Sequence, residues 1–201
     1  MLYYYPNRPT LIPPDPESPL DPGPGYINGL ESSGKYVAEL KWNGDNTLLH
    51  TDTMTFWNRH HEKLHYQPSP EVLNELRYWK EVAGDAIINC ETVHSKTTTV
   101  KHLLIVHCIM AWKGEYLIGK TWEDSRNILD ECIDKGLSGE HVQISKTWRN
   151  GFWDLFQNTD GKIHEGIILK DPMGKIVYST ILLKDVSWML KIRKPCKKYS
   201  F

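Results

Sequence analysis

The sequence lacks any apolar run near the roughly 20 residues that span a bilayer, so no transmembrane helix is expected. Cysteine is scarce: Cys90, Cys108, Cys132 and Cys196 stand far apart with no Cys-x-x-Cys pair. That argues against a disulfide framework or thiolate metal site and for reduced, buried thiols. Charge of one sign is missing too. A formal net charge of -1 excludes a general basic coat of the kind that binds phosphate backbones. The start, Met1-Leu2-Tyr3-Tyr4-Tyr5-Pro6, has neither a basic segment nor a long apolar one, so nothing there marks the chain for export and the cytoplasm is the expected location.

What is present suits a globular chain. Its 201 residues, 40% hydrophobic and 24% charged, can form a real core, and a monomer is expected. Residues 1–33 hold most of the prolines, as in Pro13-Pro14-Asp15-Pro16 and Asp21-Pro22-Gly23-Pro24-Gly25. Such composition disfavours helix and ladder pairing and predicts an extended arm before a domain at 34–201. Alternation in Tyr36-Val37-Ala38-Glu39-Leu40-Lys41 predicts a strand with Glu39 and Lys41 on one face. Asn43-Gly44-Asp45-Asn46 reads as a turn, followed by strands near 47–50 and 53–58.

Ser69-Pro70-Glu71 opens a helix with Val72, Leu76, Trp79 and Ala83 on its inner stripe and Gly84 as its stop. Thr121-Trp122-Glu123-Asp124 caps a second, burying Leu129, Cys132 and Ile133 and ending at Gly136. Further strands are expected near 86–93, 102–112, 141–147, 165–170, 175–182 and 188–193. The sum is a mixed, largely antiparallel α+β chain.

Several residues carry chemistry. A lysine at a strand end is normally a solvated charge. Lys41, however, precedes a glycine turn that lets backbone approach a phosphate, and it shares a face with Glu39. Glu165, before Gly166 in an apolar strand, must find a cation, a metal or water. Lys191 and Arg193, two apart on a strand, face the same way and can neutralise phosphate oxygens, or simply form a basic edge. From Lys184 onward, six lysines and arginines stand against one acid, Asp185.

These blocks recur in a familiar order. Glu39-Leu40-Lys41-Trp42-Asn43-Gly44 resembles the Glu-x-Lys-x-Asp-Gly motif of ATP-dependent DNA ligases. Phe56-Trp57-Asn58-Arg59 is similar to the family's aromatic-Ser-Arg segment, and Asn89-Cys90-Glu91 to its Asp-Gly-Glu. His107-Cys108-Ile109-Met110-Ala111-Trp112-Lys113-Gly114 resembles Phe-Asp-Ile-Leu-x-x-Asp-Gly, with Arg126-Asn127-Ile128-Leu129 as the Arg-x-x-Leu helix behind it. Glu165-Gly166-Ile167-Ile168-Leu169-Lys170 and Trp188-Met189-Leu190-Lys191-Ile192-Arg193 match the closing strands. Each block is short; in this order over 36–195 they are jointly specific.

The resemblance implies an ATP-grasp-like nucleotidyltransferase fold of antiparallel sheets with flanking helices, and Mg2+ as the ion. It makes Lys41 the acceptor of AMP from ATP, has Glu39 read the adenine amino group within a nucleotide site that includes Leu40, and places Glu91 on the ribose. His107 takes the base-stacking place, Glu165 and Glu91 serve the metal, and Lys191 and Arg193 grip the α-phosphate. Nicked duplex nucleic acid is the implied partner, met by Asn46, Arg59, Lys194, Lys197 and Lys198.

There are departures: Asn43 and Cys108 replace aspartates, and Arg193 replaces a lysine, changing donor geometry. Asn46 stands where DNA ligases carry an arginine for the 5'-phosphate and resembles the asparagine of phage RNA ligases, so the sugar preference stays open. The OB-fold domain usual in the family is expected to be missing, its clamp supplied by the arm, the basic tail, Arg59 with the nearby histidines, or an accessory protein. An mRNA guanylyltransferase and an inert nucleic-acid-binding module are the alternatives. His61-Glu62-Lys63-Leu64-His65 also fits the zinc-protease pattern His-Glu-x-x-His, but the strand before it and Pro68 after it leave no room for the long helix required.

Overall fold

The computed structural model describes residues 1–12 and 23–194. The chain divides into two compact units that its course enters repeatedly: Met1–Asn7, Gly44–Ser145 and Lys175–Lys184 form the first, and Arg8–Asn43, Lys146–Gly174 and the segment from Asp185 onward the second.

The first unit is built on a sheet in the order β4 (Thr55–Asn58), β3 (Asp45–His50), β5 (Ile87–Val93), β6 (Leu103–Trp112), β7 (Glu115–Tyr116), antiparallel throughout, with β8 (Val142–Ile144) parallel to β6. Helix α2 (Pro70–Ala83) begins where the sequence predicts. Ser69 accepts the Val72 N–H, Pro70 fills the first turn where its missing donor costs nothing, and Gly84, at φ 59°, ends it. Val72, Leu76, Trp79 and Ala83 are buried against the sheet, and the Trp79 indole N–H finds the Leu137 carbonyl at 2.9 Å. Helix α3 (Trp122–Asp134) opens on a reciprocal box between Thr121 and Asp124. It buries Leu129 and Cys132 as expected, but Ile133 points to solvent at 42% exposure.

The second unit carries a four-stranded sheet in the order β1 (Asn7–Leu11), β10 (Lys184–Arg193), β9 (His164–Lys170), β2 (Val37–Trp42). Its core is Ile27, Ala38, Phe152, Phe156, Ile167, Leu169 and Ile192. Two helices that the sequence reading did not foresee complete it. Helix α1 (Pro24–Ser32) starts inside the proline-rich stretch read as extended, because proline at a first helical turn promotes rather than breaks a helix. The neighbouring expectation that prolines forbid ladder pairing also fails, since β1 joins the sheet edge. Helix α4 (Phe152–Gln157) is capped from α1: the Glu31 carboxylate accepts the Gly151 and Phe152 N–H groups at 2.9 and 2.8 Å, an acid at the positive end of a helix.

Residues 175–182, expected as a strand, make only isolated bridges, Thr121 with Lys175 and Tyr5 with Ser179. The segment 59–65 is irregular, with His61 at φ 64° and its ring stacked on Tyr3 at 4.1 Å, so the zinc-protease helix is absent. Among the described residues, no helix is long and apolar enough to cross a membrane.

Candidate active site

Lys41, Glu165, Lys191 and Arg193 converge within the second unit, around a single irregularity in β9. Lys41 on β2 and Arg193 on β10 both lie opposite Gly166, whereas Trp42 lies opposite His164. Glu165 is therefore the extra residue of a β-bulge, a device that re-aims a side chain. Gly166 makes the bulge possible. Its φ of 149° is open to glycine, and a side chain there would run into the Ile192 carbonyl. Turned by the bulge, the Glu165 carboxylate accepts a hydrogen bond from the Lys41 ammonium and lies 3.5 Å from Arg193 Nε. Lys41 and Glu165 side chains are each 15% exposed, shielded enough to interact strongly yet open to a ligand.

Beside them, Lys191 is held below the usual lysine range by burial first and then by Arg193, with Asp185 opposing and Arg8 and Lys41 adding to the depression. Burial is the larger cause, and the share added by Arg193, Arg8 and Lys41 places these cations close together, where anionic phosphate oxygens would relieve their repulsion.

Glu39 shares the face of Lys41, as alternation requires, and is not free to wait for a ligand. Lys170, at the other end of β9, donates to Glu39 Oε1 at 2.8 Å, and both side chains are only 4% exposed. Lys170 is a site residue to which the sequence motifs assign no role. Its signal was a lysine closing an apolar strand, a charge that must be paired when buried. Leu40 alternates to the opposite face from Glu39 and Lys41. Because Ala38 gives its N–H and carbonyl to Trp148 along the free edge of β2, Leu40, two residues on, offers its own backbone groups on that same edge.

The remaining residues belong to the first unit and form a group rich in amides, with the Glu91 carboxylate among them. Glu91 accepts the Gly44 N–H at 3.0 Å, and its Cγ would lie 2.7 Å from a Cβ at Gly44. The glycine after the lysine motif thus admits Glu91, a different use from the phosphate approach expected. Asn46 Nδ2 donates to Asn89 Oδ1 at 2.9 Å and lies 3.5 Å from His107 Nε2. Asn89 had no assigned role; an asparagine amid Ile87, Ile88 and Cys90 was the signal. Lys96 grips the turn between them, bonding Asp45 at 2.9 Å. Burial works against the Asp45 carboxylate, but Ser95 and Lys96 hold its pKa below the ordinary range.

Of the other proposed strand contacts, the Lys194 N–H donates to the Glu165 carbonyl at 2.8 Å, and the charge of Arg59 adds to the lowering at Asp45. Arg59 is exposed and donates to His60 at 3.3 Å, and Lys194 is tied down by the Gln157 carbonyl at 2.7 Å and the Thr159 carbonyl. Lys197 and Lys198 lie outside the described residues.

As a metal ligand, Glu165 fits what Mg2+ requires, since that ion is commonly held by one or two carboxylates together with substrate phosphates. Its present cationic partners are the groups that an ion would displace or join.

No protein-family profile matches this chain, and no curated protein matches its sequence. Solved structures do match its fold. The ligase domain of M. tuberculosis LigD aligns at TM-score 0.57 and 12% identity over 79% of this chain and 53% of that one. A Lig E DNA ligase aligns at 0.54 and 10% over 80% and 62%, and the Chlorella virus DNA ligase-adenylate at 0.51 and 14% over 93% and 67%. The chain spans about half the length of the LigD domain. The chain therefore has the α+β fold of the DNA-ligase nucleotidyltransferase domain, with antiparallel sheets and flanking helices.

Proposed function

We propose that this chain is an ATP-dependent polynucleotide ligase that seals breaks between a 3'-hydroxyl and a 5'-phosphate in duplex nucleic acid, DNA or RNA/DNA hybrid, through Lys41. The observation that carries the proposal is the Lys41–Glu165–Arg193 cluster at the β9 bulge, with Lys191 alongside, within a fold shared with a mycobacterial DNA ligase D complexed with ATP.

The chemistry follows from these groups. Lys41 Nζ must lose a proton before it can attack, and the Glu165 carboxylate is the base in contact with it. The amine then forms a bond to the α-phosphorus of ATP while the bond to pyrophosphate breaks. Lys191 and Arg193 neutralise the charge that gathers on the phosphate oxygens. Mg2+, which the Glu165 carboxylate would hold, would supply Lewis-acid help to the leaving pyrophosphate. The second acceptor is the 5'-phosphate of a broken strand, which takes AMP from Lys41 and frees the amine. Attack of the 3'-hydroxyl on that phosphorus expels AMP and closes the strand. Glu39 serves the adenine amino group, held in place by Lys170.

Incubation with Mg2+ and ATP radiolabelled at the α-phosphate is expected to give a labelled band on a denaturing gel, lost in Lys41→Ala. A wild-type protein that never labels, or a Lys41→Ala variant that labels equally, contradicts the proposal.

A further inference from the structure

The first unit holds a cavity of about 440 Å3 that shares no residue with the Lys41–Glu165–Arg193 cluster. Its size is that of a small-molecule site. Tyr3, His50, Thr53, Thr55, Trp57 and His61 are among the residues that line it. The His61 ring stacks on Tyr3 at 4.1 Å, and the Trp57 ring stands 5.3 Å from His61 and 6.1 Å from Tyr3.

The chain around these rings holds them in place. Tyr3 Oη donates to the Asn58 carbonyl at 2.9 Å. The Asn58 side-chain oxygen accepts the His60 and Glu62 N–H groups at 2.8 and 3.0 Å, and its nitrogen donates to the Glu62 carboxylate at 2.8 Å. His61, inside this turn, sits at φ 64°, a left-handed conformation that few residues other than glycine adopt. The run His61-Glu62-Lys63-Leu64-His65, which forms no zinc helix, thus contributes an aromatic wall instead.

His50 supplies the polar contrast. It is 4% exposed, and its Nε2 has no hydrogen-bond partner among the described residues. A buried polar atom left unpaired is costly, and a bound ligand is one way to satisfy it. Burial holds the His50 pKa below the ordinary histidine range, with Asp52 opposing and the Met1 ammonium and His61 adding, so the ring is uncharged at neutral pH. The Asp52 carboxylate, also on the cavity wall, is matched by that ammonium at 2.6 Å. An ion therefore meets no surplus charge. A flat, uncharged ring with a nitrogen edge meets aromatic faces, threonine oxygens and an unpaired imidazole nitrogen.

We infer that this cavity binds an uncharged planar nitrogen heterocycle, a nucleobase, stacked on the Tyr3, Trp57 and His61 rings with its polar edge on His50. Two sources carry such a ring: a free nucleoside, and an unpaired base of a nucleic-acid strand. The inference requires no AMP transfer and stands or falls apart from the strand-sealing reading.

The test uses 2-aminopurine, a fluorescent base whose emission falls when it stacks on aromatic rings. The full chain is titrated into 2-aminopurine riboside, into a single-stranded oligonucleotide carrying one 2-aminopurine, and into the same strand fully paired. Saturable quenching of the riboside identifies a free nucleoside as the source, and quenching of the single strand alone identifies an unpaired base. His50→Leu should weaken that binding about fivefold, the scale of one net hydrogen bond. Trp57→Leu should weaken it about tenfold, the scale of one stacking contact. If Trp57→Leu does not fold, His61→Asn, which tolerates the left-handed backbone, removes a ring in its place, with a loss of about fivefold expected. Absence of quenching with both riboside and single strand, saturable quenching of the paired strand, or binding at full strength in His50→Leu or in the folded wall variant overturns the inference.

Discussion

The two units handle polar groups in opposite ways. In the second, the functional side chains are ionic: Lys41 with Glu165, Arg193 beside it, and Glu39 with Lys170 almost fully out of water. In the first, side-chain amides take a larger part: Asn46 meets Asn89 and His107, Glu91 accepts a backbone N–H, and the ion pair of Lys96 with Asp45 is largely exposed. Charges strengthen when water is excluded and suit a step in which charge develops on phosphorus. Neutral amides contribute less energy each but impose direction, which suits recognition. The contrast predicts that changes in the second unit move rate and stability strongly, while changes in the first have small effects.

The largest effect on stability is expected at the buried pair. Lys170→Met leaves the Glu39 carboxylate buried and uncompensated, at a cost of about 3–5 kcal/mol in urea unfolding. The double variant Glu39→Leu with Lys170→Met should regain most of that loss, and failure to regain it would show that the pair is more than a balance of charges. Next, Gly166→Ala forces a side chain against the Ile192 carbonyl and removes the bulge. Destabilisation of about 3 kcal/mol, with loss of adenylylation, is expected. If Gly166→Ala instead labels normally, the bulge is not what delivers Glu165.

Lys191 separates stability from rate. Its folded pKa lies below the unfolded value, so carrying the proton costs stability at neutral pH. That cost fades as pH rises through the folded pKa toward the unfolded one. Lys191→Met should therefore raise the unfolding midpoint at neutral pH, with the gain narrowing in alkali, while adenylylation slows by about a hundredfold. The smallest effect belongs to the first unit: Asn89→Leu should cost only about 1 kcal/mol of stability, because Asn46 is half-exposed and its freed N–H can turn to water. A loss as large as that of Lys170→Met would erase the contrast.

The parts of the fold legible in the sequence were those decided locally. Caps and stripes placed α2 and α3 almost to the residue, because Ser69, Pro70 and Thr121 act on neighbours within one turn. Helix α1 was hidden by its own proline, whose meaning reverses at a first helical turn. Helix α4 had its signal in Phe152 and Phe156, but six residues form a helix only where packing and Glu31 stabilise them. Ile176, Val177 and Tyr178 looked like a strand, yet β pairing depends on a partner that the local sequence does not reveal.

In the site, the residue types and the shared face of Glu39 and Lys41 were readable. Which acid meets which base was not. That depends on the register of β9 and the bulge at Glu165, set by a contact between Gly166 and Ile192 far apart in sequence.

The central claim is that the amine paired with Glu165 becomes bonded to phosphorus. Its most direct test is mass spectrometry of the peptide containing Lys41 after exposure to ATP and Mg2+. The account predicts AMP joined to Lys41 by an acid-labile nitrogen–phosphorus bond and discharged when a nicked duplex is added. An unmodified Lys41, or AMP found on another residue, would contradict it.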